Sequence, residues 1–299
     1  MDRFEMLAAF VAVADQRGFA AAARTLGVSP PAITRAVAAL ERHLGVTLFQ
    51  RSTRAVSLTE DGAAFLDRAR RILIDLREAE QIVMGGRSTP RGQLYVTAPV
   101  MFGRLHVLPA INALLSRHEG LSARMMLLDR NVRIIEEGID VAVRIGALTD
   151  SALRVVTIGA VRQVVVASPD YLSRHGAPAR PADLGDHRCI AGSGPRLGSA
   201  WPFGARGETL VEVVPRLIVN TVDATIAAAE AGLGLANLLS YQSQDAIAAG
   251  RLVEVLADHA PAPMPVSLLY ESGRAAMPAV RAFIEAMRER ARHSAWGER

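Results

Sequence analysis

The chain has 299 residues and is 50% hydrophobic, which suits about two domains, each with its own core. Its formal net charge is +4, and every basic residue apart from histidine is arginine. With no lysine, a pyridoxal Schiff base, a P-loop lysine and a kinase-type phosphate lysine are all excluded.

The charge is unevenly placed. Residues 1–59 hold seven arginines (3, 17, 24, 35, 42, 51, 54) against four acids (2, 5, 15, 41), so almost all of the excess lies in the first fifth. That bias suits a polyanionic partner, with a solvated basic surface as the plainer alternative. The lone Cys189 cannot form an intrachain disulfide and reads as a small buried apolar residue in a reducing cytoplasm.

Asp2 can cap a first helix, whose Phe4, Leu7, Ala8, Phe10, Val11 and Ala14 recur at helical spacing up to Gly18. This amphipathic start is not the basic-then-apolar pattern of a secretory leader. A short alanine-rich helix follows over 19–26, and Gly27 suits a left-handed stop. Ser29 is a natural N-cap and Pro30 suits the first turn of a third helix. That helix is expected to bury Ile33, Val37, Leu40 and Leu44 and to end at Gly45.

Two short strands over 46–50 and 55–58 would flank a polar tip, Arg51-Ser52-Thr53-Arg54, forming a wing. Thr59 caps a long helix, with Glu60 and Asp61 favourable at its positive end. Its apolar stripe, Phe65, Ala69, Ile72, Leu76 and Val83, runs through about seven turns. So long a stripe is expected to meet the same helix of a second subunit rather than its own chain.

Residues 85–92 are rich in glycine, proline and serine and read as a linker. Beyond them, strands over 94–97, 124–128, 141–145, 154–158, 164–167 and 217–219 interleave with helices over 104–117, 133–137, 222–231 and 278–292. That alternation predicts an α/β fold with largely parallel sheets. No apolar run reaches ~18 residues, so no membrane span is expected.

The densest chemistry lies at the start of the third helix. A helix fits the DNA major groove, and the N-terminal residues of a recognition helix reach base edges. Here those residues are Ser29, Pro30, Pro31, Ala32, Thr34 and Arg35. Arg35 can read guanine or grip phosphate while Ile33 and Val37 face the core. Ser29 and the first-turn N–H groups suit phosphate. At the wing, Arg51, Ser52, Thr53 and Arg54 would reach the backbone or the adjacent minor groove.

Residues 1–60 resemble the winged helix-turn-helix of LysR-type transcriptional regulators. The resemblance rests on Phe10-x-x-Val13, Phe19-x-x-Ala22-Ala23-x-x-Leu26, Ser29-Pro30-Pro31-Ala32-Ile33-Thr34, Leu40-Glu41-x-x-Leu44-Gly45-x-x-Leu48-Phe49-x-Arg51 and Leu58-Thr59-x-x-Gly62. It extends more weakly through Thr97-Ala98-Pro99, Phe102-Gly103-Arg104, Glu137-Gly138-x-Asp140-x-Ala142-x-Arg144-Ile145-Gly146 and Ala231-Gly232-Leu233-Gly234. One departure is Gly18 before Phe19, where many members carry serine. The resemblance implies an all-α winged reader over 1–59, a dimerising linker helix over 60–86 and a two-lobed, periplasmic-binding-protein-like α/β domain over 87–299. Lobe I would take about 91–162 and 266–299, and lobe II about 163–265. It adds Arg3 to the DNA-contacting set. Implied partners are double-stranded DNA, a small-molecule effector, further copies of the chain as dimer or tetramer, and RNA polymerase.

In open α/β sheets ligands sit at strand carboxyl ends against helix N-termini. That rule places an effector near Pro99, Val100 and Met101 and near Asn220 and Thr221, each pair of segments following a predicted strand. The family resemblance adds Asp129, Gly146, Trp201 and Phe203 as further walls. Capping of the following helix is an equal explanation for Asn220 and Thr221, and an ion pair is the favoured one for Arg144. No reaction is legible: the seven histidines lack metal-ligand spacing, and Gly192-Ser193-Gly194 is not a nucleophile elbow. Gly232-x-Gly234 lacks a third glycine and reads as a tight helix-to-strand turn. No cofactor, no metal and no enzymatic activity are expected. The alternative reading is an enzyme or solute-binding protein with an accessory helical domain.

Overall fold

The structure, a computed structural model, describes residues 2–51, 56–83, 89–130, 134, 137–148, 153–192 and 198–297. The chain separates into two units, Met1–Gln93 and Leu94–Arg299.

In the first unit α1 (Arg3–Gln16), α2 (Phe19–Leu26) and α3 (Pro30–Leu44) precede a hairpin of β1 (Phe49–Arg51) and β2 (Val56–Leu58), then the long α4 (Glu60–Val83). Their core gathers Phe10, Val13, Ala22, Ala23, Ile33, Val37, Leu40, Leu48 and Phe49. Phe49 rings lie 5.3 Å from Phe10 and 5.9 Å from Phe19, tilted or edge-on, geometries that favour aromatic pairs. The left-handed stop of α1 is Arg17 (φ 50), one residue before the expected glycine, and Gly18 is extended as the N-cap of α2. Phe4 and Leu44, expected inside, are exposed at the rim of this small core. β1 starts at Phe49 rather than 46, and Val46 and Thr47 are exposed ahead of it.

The stripe on α4 divides. Ala69 is fully buried, and Phe65, Leu66 and Leu73 pack on the unit's own core. Ile72 is exposed and Leu76 is half-buried. The helix therefore docks partly on its own chain, contrary to the expectation that the stripe served a partner alone. Val83's side chain lies outside the described residues.

The second unit holds two five-stranded sheets. The first runs in the order β4-β3-β5-β14-β6, built from β3 (Gly92–Ala98), β4 (Leu121–Leu127), β5 (Val141–Ile145), β6 (Arg154–Val161) and β14 (Met264–Tyr270). The second runs β11-β8-β12-β7-β13, from β7 (Gln163–Ala167), β8 (Cys189–Gly192), β11 (Pro215–Val219), β12 (Leu235–Leu239) and β13 (Val253–Val255). A hairpin of β9 (Ala200–Phe203) and β10 (Thr209–Glu212) stands apart. The sheets are mixed rather than largely parallel. β3 pairs β5, and β8 pairs β11 and β12, in parallel; β14 and β7 run against their neighbours. Those antiparallel strands flank the two crossings between sheets, at Arg162 and between Val255 and Met264.

Helices cover both sheets: α5 (Val100–Phe102), α6 (Leu108–Arg117), α7 (Pro169–His175), α8 (Val222–Glu230), α9 (Ser240–Ala248) and α10 (Pro278–Arg292). Helical structure begins at Val100, not 104, and passes through a π-turn at Gly103–Val107. Pro109 has no N–H to give the Leu105 carbonyl one turn back, and Arg290 Nη2 donates to that oxygen at 2.8 Å. A Cβ at Gly103 would stand 2.3 Å from Leu127 Cδ2 and would force that side chain to move. The helix expected over 133–137 lies mostly outside the described residues; Ile134 and Glu137 are in turns. Gly232 (φ 75) and Gly234, whose Cβ would meet the Arg188 carbonyl at 2.2 Å, form the tight turn between α8 and β12.

Asp140 is the buried charge of the first sheet. Its Oδ2 accepts the Tyr95 N–H at 2.7 Å and its Oδ1 pairs with Arg274. Asp140 and Arg274 side chains are 3% and 15% exposed, so removing one would strand the other. Asp140→Ala is expected to destabilise the second unit by about 3–5 kcal/mol in chemical denaturation.

His106 joins Phe102, Trp296 and Tyr241 in an aromatic cluster with centroids 4.7–5.7 Å apart. Trp296 Nε1 donates to His106 Nδ1 at 3.1 Å, which fixes the imidazole as neutral with its proton on Nε2. Burial, and then the charge of Arg290, lower its pKa to about 4. The unfolded chain takes up this proton near 6.5, so the stabilisation is complete above that pH and is lost as pH falls towards about 4. Melting temperature is therefore expected to drop between pH 6.5 and 4, with a shallower slope in His106→Gln, which keeps an acceptor for Trp296.

Candidate functional site

The α2–α3 turn is fixed by Gly27 (φ 66) and by Val28 N–H, which donates to the Ala23 carbonyl at 3.0 Å. Ile33, Ala36, Val37 and Leu40 anchor one face of α3. On the other side Ser29, Pro30, Pro31 and Arg35 are exposed, with Ala32 and Thr34 half-buried between. Arg3, at the start of α1, is also exposed. The Ser29 hydroxyl makes no cap bond to the first turn of α3, although Ser29 is the N-cap residue. Thr34 Oγ1 donates to the Pro30 carbonyl at 3.1 Å, which leaves the hydroxyl a lone pair, beside the methyl group, for any outside contact.

The wing is tied to α3 by Glu41. Its Oε1 accepts the N–H groups of Leu48 (2.8 Å) and Phe49 (3.3 Å). Thr59 Oγ1 donates to the Thr47 carbonyl (2.7 Å) and accepts Gly62 N–H (2.9 Å), capping α4. Gly62 must lack a Cβ, which would stand 2.1 Å from the Leu48 carbonyl. Three of the motif residues thus set the frame between recognition helix, wing and linker helix, a role that spacing alone did not reveal for Glu41 and Gly62. The side chain of Arg51, and Ser52, Thr53 and Arg54, lie outside the described residues.

In the second unit a cavity of about 630 Å³ opens between the two sheets. Of the residues expected there, Pro99, Asp129 and Asn220 line it. The other six do not. Val100 is exposed, and its N–H is bound by Asp129 Oδ1 at 3.0 Å. Met101 turns into the first-lobe core. Gly146 gives its N–H to the Pro265 carbonyl at 2.8 Å. Thr221 caps α8, accepting Ala224 N–H at 3.3 Å. Trp201 and Phe203 are buried in the second-lobe core with Tyr171 and Leu184, while Ala200 and Pro202 line the cavity. Strand alternation explains that reversal: successive side chains take opposite faces.

The sequence reading missed Gln163, Asn237, Tyr241 and Gln242. Arg144 lines the cavity and donates through Nη1 to the Val143 carbonyl at 3.3 Å. Asn237 had a visible signal, one amide within the wholly buried strand Leu-Ala-Asn-Leu-Leu. It is 9% exposed, and its Oδ1 finds no partner among the described residues. Cys189, buried among second-lobe residues, has its thiol pKa raised by burial to about 11, which suits packing and not reactivity. Among the described residues no group of three or more His, Cys, Asp or Glu could hold a metal ion, and no helix is long and apolar enough to cross a membrane.

A winged helix-turn-helix followed by a two-lobed domain with a ligand-sized cavity defines a ligand-responsive DNA-binding regulator. Residues 4–63 match the family model of bacterial regulatory helix-turn-helix proteins of the lysR family, and residues 87–292 match the LysR substrate binding domain. The chain is 31% identical to the HTH-type transcriptional regulator CrgA of Neisseria meningitidis serogroup C, with 94% of each covered. It is 32% identical to the regulator DmlR of Escherichia coli K12, covering 95% of this chain and 92% of that one. The solved structure of CrgA matches with a TM-score of 0.61 at 29% identity, over 95% of this chain and 97% of that one. Full-length AphB, the Vibrio cholerae virulence activator, matches with a TM-score of 0.58 at 25% identity, over 96% and 98%. The chain belongs to the LysR family: it is a DNA-binding transcriptional regulator with an effector-binding domain.

A buried amide oxygen without a protein partner costs about 1–3 kcal/mol. Asn237→Leu, of similar volume, is accordingly expected to raise the melting temperature of the ligand-free protein; a lower value would show that the amide is structurally satisfied.

Proposed function

We propose that two chains associate through α4 and present their α3 helices to the half-sites of a pseudo-palindromic promoter element. In that arrangement half-sites lie about one helical turn apart, roughly 34–36 Å, or a multiple of it. The observation that carries the reading is the exposed row Ser29, Pro30, Pro31 and Arg35 on a helix whose opposite face is core. Arg35 reads a base edge, Ser29 and Arg3 meet phosphate, and Arg51 to Arg54 extend the contact from the wing. Exposed Ile72 and the far half of α4 supply the dimer seam, and a tetramer forms from two such dimers in the cytoplasm.

The 630 Å³ cavity takes a small effector whose apolar part meets Leu128, Leu210 and Met264 and whose polar part reaches Asn237 and Gln163. Effector binding favours one angle between lobes, and hence one spacing of the DNA-binding heads, only as far as its affinity for the two states differs. The protein acts without turnover, through contacts with DNA, effector and RNA polymerase. An enzyme or a solute binder would need neither the α3 row nor the wing.

Arg35→Ala is expected to weaken binding to the promoter site by about 1–3 kcal/mol in gel-shift titrations. The loss should be smaller on random DNA. An equal loss on both would make Arg35 a phosphate contact, and no specific shift by the wild type at physiological salt would overturn the reading.

A further inference from the structure

A second cavity, of about 520 Å³, lies where the chain crosses between the lobes. Ala160 is the last residue but one of β6, Val164 the second of β7, and Arg162 is the single residue between the two strands. All three line the cavity, as does Pro263 just before the return crossing into β14. The opposite wall is α9, through Gln244, Ile247 and Ala248.

Its chemistry is close to neutral. Both guanidinium nitrogens of Arg162 bind the two carboxylate oxygens of Glu254, which also lines the cavity. An anion entering would face Glu254 and a cation would face Arg162, each already matched. What remains is alkyl surface, the aromatic residues Tyr241 and Trp296, and the uncharged hydrogen-bonding side chains of Ser240 and Gln244. Such a lining suits a flat, uncharged molecule of one or two rings bearing one hydrogen-bonding group.

Two features couple this space to regulation. The crossing itself is pinned by a reciprocal pair of bonds: Ser240 N–H donates to the Arg162 carbonyl at 2.8 Å, and Arg162 N–H to Ser240 Oγ at 3.3 Å. Tyr241 is a wall of both cavities. Its ring stands edge-on to Phe102 of the first lobe (5.2 Å, 84°), and its hydroxyl accepts from Gln242 Nε2 at 3.2 Å. We propose that the hinge cavity is a second ligand site, for an uncharged ring-bearing molecule that binds against residues of both lobes and acts on the effector cavity through Tyr241. A molecule held by both lobes prefers one angle between them, which is the requirement for allosteric coupling.

The test is calorimetric titration of the full chain with indole as the probe. Ala248→Trp and Gln244→Trp fill the hinge cavity from exposed wall positions, and Leu210→Trp fills the effector cavity from an exposed one. Indole is expected to bind the wild type and Leu210→Trp alike, and at least tenfold more weakly to each hinge variant, with thermal melts confirming that all are folded. Three results would overturn the proposal: no binding to the folded wild type, undiminished binding to both hinge variants, or loss in Leu210→Trp alone. The experiment involves no DNA, so its failure would leave the α3 reading intact.

Discussion

A reading helix must be immobile against its scaffold, and here a single carboxylate supplies much of that rigidity. Glu41 sits on α3 and accepts two backbone N–H groups at the root of the wing. The hairpin is thereby fastened to α3 by charge-assisted bonds that are stronger than neutral ones. The rest of the unit follows from this frame. Phe49, itself held by the clamp, packs on Phe10 and Phe19, and Gly62 admits the Leu48 carbonyl to the start of α4. Recognition helix, wing and linker helix consequently share one small core, and displacement of any would be felt by the others.

The legibility of this architecture in the sequence varied with how local its causes are. Helix caps, left-handed glycines and the α3 core face are set by neighbours within one turn, so Gly27, Gly45 and Ile33 were readable directly. Sheet direction was not, because whether a strand runs with or against its neighbour depends on connections between lobes. The π-turn before α6 depends on Pro109, but also on Arg290, nearly two hundred residues away, which serves the carbonyl that the proline cannot. Leu44 and Phe4 were misplaced because a helix of regular periodicity extends beyond the small core available to it.

The ligand cavity shows the same division. The rule that ligands sit at strand ends found Pro99 and Asn220, and the family pattern found Asp129. For Trp201 and Phe203 the correct segment was paired with the wrong face, since a two-residue period cannot say which side is inside when both sides of the strand meet protein. Polar walls such as Gln163 and Gln242 gave no pattern at all, being single residues on separate elements brought together only by the closing of the two sheets.

The bond between Asp129 and the Val100 amide occupies a donor that would otherwise be open to an acid. The start of a helical segment is an attractive place for an anion, yet here the position holds a carboxylate from the same chain. A tethered group competes at an effective concentration that a dissolved metabolite rarely reaches, on the order of millimolar for a short flexible tether. An acid that sought this amide would have to displace the Asp129 carboxylate, so it would bind more weakly than a bare amide would allow. A molecule that left the bond alone would meet no such competitor.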